Sequence, residues 1–207
     1  MTVSTTRRRL LQGAGAITLV AVGGAIWRAN DREVFATPSG AAYDPWTLWQ
    51  SPDYQGTPLA LVAAGILASN PHNTQPWIFR VSETEIEVLA DTTRHLGTFD
   101  PYLREMHIGL GCAIENMVLA APANGYAATV EAAPGSLLDI ERGGMVRAAV
   151  IRLSKGNGAS DPLYDAIPHR HTNRYAYDRG RGFPGDLLRR IATMPMENDV
   201  AVSLFTE

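Results

Sequence analysis

The sequence predicts an α+β fold, in which helices and strands intermix and part of the sheet is antiparallel. Three times a capping residue precedes proline, at Thr57-Pro58, Asp100-Pro101 and Asp161-Pro162, which is the pattern of a helix start. Two short apolar runs, 78–81 and 86–90, flank a polar turn and indicate a hairpin. With 207 residues, 45% of them hydrophobic and 19% charged, the chain can form a packed core.

The elements are predicted in the following order. A helix over 59–68 leads into the hairpin. A long helix then runs from Asp100-Pro101 to about Ala121, where Pro122 and Gly125 end it. Its apolar positions are Ile108, Ala113, Ile114, Met117, Val118 and Ala121. Strands over 127–132 and 145–153, a short helix closed by Pro168, a helix from Pro184 to about Ala192 and a strand over 200–205 complete the prediction.

Charge and cysteine content exclude several kinds of protein. The 18 basic and 21 acidic residues give a net charge of -3, which argues against a nucleic-acid binder. Cys112 is the one cysteine, which rules out an internal disulfide and a multi-cysteine zinc site. The sequence has neither a P-loop nor a strand-linked GxGxxG, so it does not support a nucleotide site of either kind.

Residues 1–30 have the pattern of a twin-arginine-type signal or anchor. Arg7 and Arg8 precede an apolar stretch over 13–27 that is short for a transmembrane helix. We therefore expect an exported protein, either periplasmic or membrane-anchored; an ordinary basic anchor is the alternative. Residues 31–56, which contain Trp46 and Trp49, are expected to form a linker or an arm that packs on the body.

The first cluster of polar side chains follows the first predicted helix, in the segment Ser69-Asn70-Pro71-His72-Asn73-Thr74-Gln75-Pro76-Trp77. Two prolines stiffen it, and Trp77 can anchor it in the core. Such a loop suits a polar ligand that forms many hydrogen bonds. The alternative is a loop whose Asn and Thr side chains cap its own backbone.

The second cluster is His169-Arg170-His171-Thr172-Asn173-Arg174. Two arginines four residues apart, with a hydroxyl between them, can hold a phosphate by charge-assisted hydrogen bonds. A metal site from His169 and His171 would need further ligands and would lie beside two repelling cations, so we predict no metal. A solvated basic turn is the remaining alternative.

Together the two clusters resemble the nitroreductase family, and in particular its Acg-like branch of FMN-binding oxidoreductases. The resemblance covers about 57–195. It includes Ala90-Asp91-Thr92-Thr93-Arg94 at a strand end, Asp100-Pro101 with Arg104-Glu105, the segment 109–111 and Asn116-Met117-Val118-Leu119-Ala120. It departs from the family pattern at Ser69-Asn70, where that branch favours Pro-Ser.

The resemblance implies a mixed sheet flanked by helices, in a chain that fuses two halves of a former dimer. The first half would span 57–160. Residues 161–207 would be the beginning of the second half, which we expect to continue beyond Glu207. Arg170, Thr172 and Arg174 would grip the FMN phosphate, with His171 beside them. Asn73 and Gln75, together with Asn70, would contact the same flavin. A homodimer is the alternative to the fused pseudo-dimer.

The implied activity is electron transfer from NAD(P)H or another donor, through bound FMN, to a small organic acceptor. The flavin performs such chemistry itself, so no side chain is predicted to be catalytic. The alternative is a non-catalytic protein that binds or sequesters flavin. An anchored structural domain without flavin is a third class.

Overall fold

The computed structural model describes residues 21–32, 40–135, 137–139, 144–159, 161–194 and 200–205. Arg7 and Arg8 of the predicted signal lie outside these ranges. The chain divides into two compact units, Met1–Arg170 and His171–Glu207. The predicted division into halves after residue 160 is a different boundary and stays a prediction.

Five helices are described in the first unit. Helix α1 occupies 21–31. The other four are α2 (Asp44–Leu48), α3 (Pro58–Gly65), α4 (Arg104–Ala123) and α5 (Pro162–Ala166). Thr57 caps α3 as predicted, because its side chain accepts a hydrogen bond from the backbone N–H of Leu59 at 3.3 Å. Asp161 caps α5 in the same way through Leu163, at 2.7 Å.

Within the described ranges the chain forms four strands, β1 (Trp77–Val81), β2 (Glu85–Asp91), β3 (Tyr126–Ala132) and β4 (Met145–Lys155). They form one sheet in the order β1-β2-β4-β3, and each of the pairings described is antiparallel. The predicted hairpin is the β1–β2 pair, with Phe79 opposite Val88. The α+β class is thereby confirmed.

The core lies between one face of the sheet and the helices α3 and α4. Fully buried side chains come from each layer: Leu61 from α3, Met106 and Met117 from α4, Ile86 from β2 and Ile151 from β4. The other face of the sheet carries Arg–Glu pairs between strands, such as Arg80 with Glu87 at 2.9 Å. Because these pairs are solvated, that face is stabilised only weakly by its charges.

The described part of the arm packs on this body. Trp49 follows α2 and is only 7% exposed. Its ring meets the ring of Tyr164 in α5 edge-on, with the centroids 5.2 Å apart. This contact places α5 in the first unit.

Helix α4 differs from its prediction in three respects. It begins at Arg104 rather than at Pro101, because Leu103 has a left-handed backbone (φ 52°) that breaks the helix path. Asp100 lies before the N-cap residue Leu103, but its Oδ2 still accepts from the N–H of Met106 in the first turn, at 3.1 Å. Pro122 lies inside the last turn, and the helix continues to Ala123, two residues before Gly125, whose φ is 81°. Ile108, predicted to be apolar core, is exposed.

Among the described residues α4 is the one helix long and apolar enough to cross a membrane. Its buried residues pack on α3 and on β3, which is the arrangement of a core helix.

The second unit contains helix α6 (Gly185–Ala192), close to its predicted position. The predicted strand over 200–205 is wrong, since these described residues have no strand assignment. A strand needs a hydrogen-bonded neighbour, and an apolar run without one does not form it.

Candidate functional site

The first cluster forms a loop between α3 and β1, which we call the amide loop (residues 69–76). Its C-terminal end is anchored, because Pro76 and Trp77 are buried and the Trp77 ring stacks on Phe79 with centroids 6.5 Å apart. His72, Asn73 and Gln75 are exposed. The loop thus presents polar side chains from a fixed base, as the sequence predicts.

The backbone of the amide loop is strained. Three residues other than glycine have positive φ: His72 at 47°, Asn73 at 57° and Gln75 at 47°. His and Asn tolerate the left-handed region better than most residues. Glutamine does not share this tolerance, and Gln75 also precedes a proline. Strain of this kind persists only where surrounding contacts impose it, and it concentrates at ligand sites.

Asn70 is one of those contacts. Its Oδ1 accepts from the backbone N–H of Gln75 at 2.8 Å, and its Nδ2 donates to the carbonyl of Ala68 at 3.4 Å. Both ends of the Asn70 amide are thus engaged by backbone groups of the loop and of the residue before it. This is the self-capping arrangement that the sequence left open, whereas the amides of Asn73 and Gln75 lie at the surface.

Arg94 holds the other side of the loop, and sequence reasoning assigned it no role. Its Nη1 donates to the carbonyls of Thr74 (3.3 Å) and Gln75 (3.2 Å), and its Nε donates to Asp91 Oδ2 at 3.1 Å. The hydroxyl and backbone N–H of Thr93, together with Arg94, hold the pKa of Asp91 below its ordinary value, against the opposing effect of burial. The sequence feature that could have identified Arg94 is the Ala-Asp-x-x-Arg pattern at the end of β2.

Helix α4 packs against the amide loop at Gly109. Gly109 faces it so closely that an added Cβ would lie 3.1 Å from Pro71 Cδ and 3.3 Å from Asn70 Cβ. Glycine at this position therefore lets the helix backbone approach the loop.

One buried polar atom of the loop is unsatisfied. Thr74 Oγ1 has no hydrogen-bond partner within the part of the chain that the structure describes. A buried hydroxyl without a partner is costly, and a bound polar ligand is one way of satisfying it.

Arg170 lies next to the start of the amide loop. Its Nη2 donates to the carbonyl of Leu67 at 3.0 Å, across 103 residues of sequence. Leu67 is in the turn that joins α3 to the loop, and both residues belong to the first unit. A guanidinium carries five N–H donors, so this bond leaves it able to hold an anion.

The second unit begins inside the second cluster, immediately after Arg170. His171, Thr172 and Arg174 are exposed and lie in irregular backbone. Asn173 Oδ1 accepts from the N–H of Tyr175 at 3.0 Å, which forms a local turn. No group of three His, Cys, Asp or Glu side chains in the described ranges could hold a metal ion.

The residues of the first unit can supply the two things that FMN requires: hydrogen-bonding groups for the polar edge of its ring and a cation for its phosphate. Exposed amides supply both donors and acceptors for the polar edge of a flavin ring, and the unsatisfied Thr74 hydroxyl lies in the same loop. Arg170, at the base of that loop, is suited to a phosphate.

Several solved structures are similar to part of this chain. One is a Clostridium acetobutylicum protein named "Putative NADH Oxidase", with 17% identity and a TM-score of 0.38 over 56% of this chain and 86% of that one. Another is a Desulfovibrio desulfuricans protein named "putative nitroreductase in complex with fmn", with 20% identity and a TM-score of 0.35 over 51% and 78% of the two chains.

Two curated relatives come from Mycobacterium tuberculosis strains, and both are named "Putative NAD(P)H nitroreductase". Each is 32% identical over 126 residues, which is 61% of this chain and 35% of the relative. The chain therefore spans about a third of their length. No family model matches. The relatives confirm the resemblance that the two clusters predicted: over this shared stretch, the chain is similar to the nitroreductase family.

Proposed function

We propose that this chain forms the flavin-binding part of an FMN-dependent oxidoreductase of nitroreductase type. The observation that carries the proposal is the contact of Arg170 with Leu67. The arginine that matches the family's phosphate segment lies at the base of the loop that matches the family's flavin loop. These two features are 103 residues apart in the sequence, and one folded unit contains both.

In this proposal each group has a separate task. Arg170 neutralises the phosphate, and Thr172 and Arg174 are assigned to the same phosphate on the sequence match alone. Asn73 and Gln75 donate to and accept from the polar edge of the ring. Asn70 belongs to the loop framework, since both its amide atoms are already engaged there. His171 remains a candidate by its place in the motif.

Bound FMN would supply the electron-transfer chemistry itself, so the residues of this chain bind and orient it. We propose that NAD(P)H or another donor provides the electrons and that a small organic compound accepts them. The names of the curated relatives support a nicotinamide donor. The fused arrangement of the Acg-like branch, with a second half that starts near 161, is part of the same proposal.

Titration with FMN tests the proposal. The purified protein should quench FMN fluorescence and give the visible spectrum of a bound flavin. Arg170→Ala should weaken binding by roughly 1.5–3 kcal/mol, because it removes one charged hydrogen-bond partner of the phosphate; this is about a 10- to 150-fold increase in Kd. Arg80→Ala is the matched control, since Arg80 is an exposed arginine that pairs with Glu87 on the sheet.

Three results would change the proposal. A protein that binds no FMN overturns it. An Arg170→Ala variant that binds FMN like the wild type removes Arg170 from the phosphate site. A protein that binds FMN but shows no reduction of it by NADH or NADPH favours the non-catalytic flavin-binding protein.

A further inference from the structure

We propose that Arg94 is a positioning residue, which fixes the amide loop in the shape that presents Asn73 and Gln75 to a ligand. The ligand in this inference is the flavin of the proposed function, and in that respect the inference rests on that function. The holding of the loop itself does not depend on any ligand.

The geometry places Arg94 between a rigid element and a strained one. On one side its Nε donates to Asp91 Oδ2 at 3.1 Å, at the end of the central strand β2. Asp91 is itself fixed by Thr93, whose N–H and hydroxyl donate to Oδ1 at 3.0 and 2.5 Å. On the other side Nη1 reaches the two loop carbonyls. The Arg94 side chain thereby links the end of β2 to the carbonyls of Thr74 and Gln75.

The two carbonyls belong to the part of the loop where the backbone is strained. Thr74 lies between Asn73 and Gln75, both of which have positive φ. The Gln75 residue is held at both ends: Asn70 Oδ1 accepts from its N–H at 2.8 Å, and Arg94 Nη1 donates to its carbonyl at 3.2 Å. Because its N–H and its carbonyl are both hydrogen-bonded, the contacts with Asn70 and Arg94 impose the left-handed conformation of Gln75.

Arginine suits this task better than lysine. The guanidinium is planar, so its Nε can donate to a carboxylate while Nη1 donates to the carbonyls in a fixed relative geometry. An ammonium is a single point with no such fork. The charge alone would contribute little, because the Arg94 side chain is 49% exposed.

Hydrogen exchange without flavin tests the clamp directly. We expect the amide of Gln75 to exchange at least tenfold faster in Arg94→Gln than in the wild type, with Arg94→Lys close to Arg94→Gln. Amides of the β2–β4 pair should stay protected in both variants, which shows that the sheet is folded. Arg80→Gln is the matched control: it removes an exposed arginine that pairs with a strand carboxylate and has no hydrogen bond to the loop.

Flavin titration is the second measurement. Arg94→Gln should raise the Kd for FMN about tenfold, with Arg80→Gln unchanged. Unaltered Gln75 exchange in Arg94→Gln overturns the clamp, and wild-type behaviour of Arg94→Lys overturns the role of the fork. Faster exchange with unaltered FMN affinity overturns the role in ligand binding. If the wild type binds no FMN, the proposed function fails, while the exchange result still decides whether Arg94 holds the loop.

Should Arg94→Gln fail to fold, Asp91→Asn provides the same test. It leaves the guanidinium in place but removes the charge that orients it. We expect an intermediate increase in Gln75 exchange, and no increase would contradict the proposal.

Discussion

The carboxylate of Asp91 gives the site a dependence on acid pH. Hydrogen bonds from Thr93, together with Arg94, lower its pKa from an ordinary value of 3.8. A group whose pKa is lower in the folded state stabilises the fold when ionised. That contribution is complete above the unfolded pKa and is lost as the pH falls through the folded one.

We therefore expect Asp91→Asn to reduce the free energy of unfolding by a constant amount above about pH 5, where both states of the wild type are ionised. The difference between variant and wild type should shrink as the pH falls below the ordinary pKa of the carboxyl. Urea unfolding at a series of pH values from 7 to 3 measures it. Glu83→Gln, in the β1–β2 turn, is the control for the loss of one exposed carboxylate. A difference for Asp91→Asn that is equal at pH 3 and pH 7 would contradict the assignment.

The sequence predicted which side chains of the site would be exposed but not how they are held. Composition and two prolines indicated a stiff polar loop, and Asn73 and Gln75 indeed lie at its surface. The strain at Gln75 was not predictable, because glutamine does not favour positive φ. Nor were the partners of Arg94 and Arg170, which lie about 20 and 103 residues away in sequence. Such partners are set by the tertiary fold: the Ala-Asp-x-x-Arg pattern marks Arg94 but does not say which carbonyls it reaches.

Among the secondary-structure elements, α3 and α4 pack closely at Gly65. A Cβ at Gly65 would lie 2.9 Å from Met117 Cγ and 3.3 Å from the carbonyl oxygen of Ala113. Gly65→Ala should therefore destabilise the protein by about 1–3 kcal/mol, toward the lower figure if the flexible Met117 side chain moves aside. Urea unfolding measures the change.

Gly111→Ala is the matched control for this substitution. Gly111 is on the exposed side of α4, and nothing lies within 4 Å of the added Cβ. Alanine in a helix interior is favoured over glycine by roughly 0.5–1 kcal/mol, so this variant should be more stable than the wild type. Equal stability changes in the two variants would show that the α3–α4 contact can relax, contrary to this prediction.

Strong local signals predicted the elements well, and their ends were predicted less well. Cap residues located α3 and α5, and short apolar runs located β1 and β2; strands were also predicted where β3 and β4 lie. The start of α4 was misplaced because Leu103 adopts a left-handed conformation that its residue type does not suggest. The run over 200–205 is as apolar as a real strand, but pairing, not composition, decides whether a strand forms.

At the scale of the whole molecule, the two units differ in how much they bury. The first unit has a continuous core between helices and sheet. In the second unit the described residues 171–186 are all exposed, and apolar residues of α6 are only half-buried. Length and overall hydrophobicity predicted a packed core for the chain. They could not predict that the core belongs almost entirely to the first unit, because average composition does not say where apolar residues meet.

The N-terminal helix α1 also leaves apolar side chains exposed, namely Val22, Ile26 and Trp27. We propose that this apolar helix belongs to a twin-arginine export signal or an anchor that follows Arg7 and Arg8. The first unit supports this route, because it packs its own core and the route carries folded proteins.

Replacing Arg7 and Arg8 together by lysine tests the proposal, because it preserves the charge and removes the paired guanidinium groups. We expect the doubly substituted protein to stay on the cytoplasmic side of the membrane, as measured by protease protection in intact cells and by fractionation. Arg28→Lys, at the far end of the apolar stretch, is the control and should be exported like the wild type. Equal export of the doubly substituted protein would show that a general export route or a basic anchor, which reads only positive charge ahead of an apolar segment, handles this chain instead.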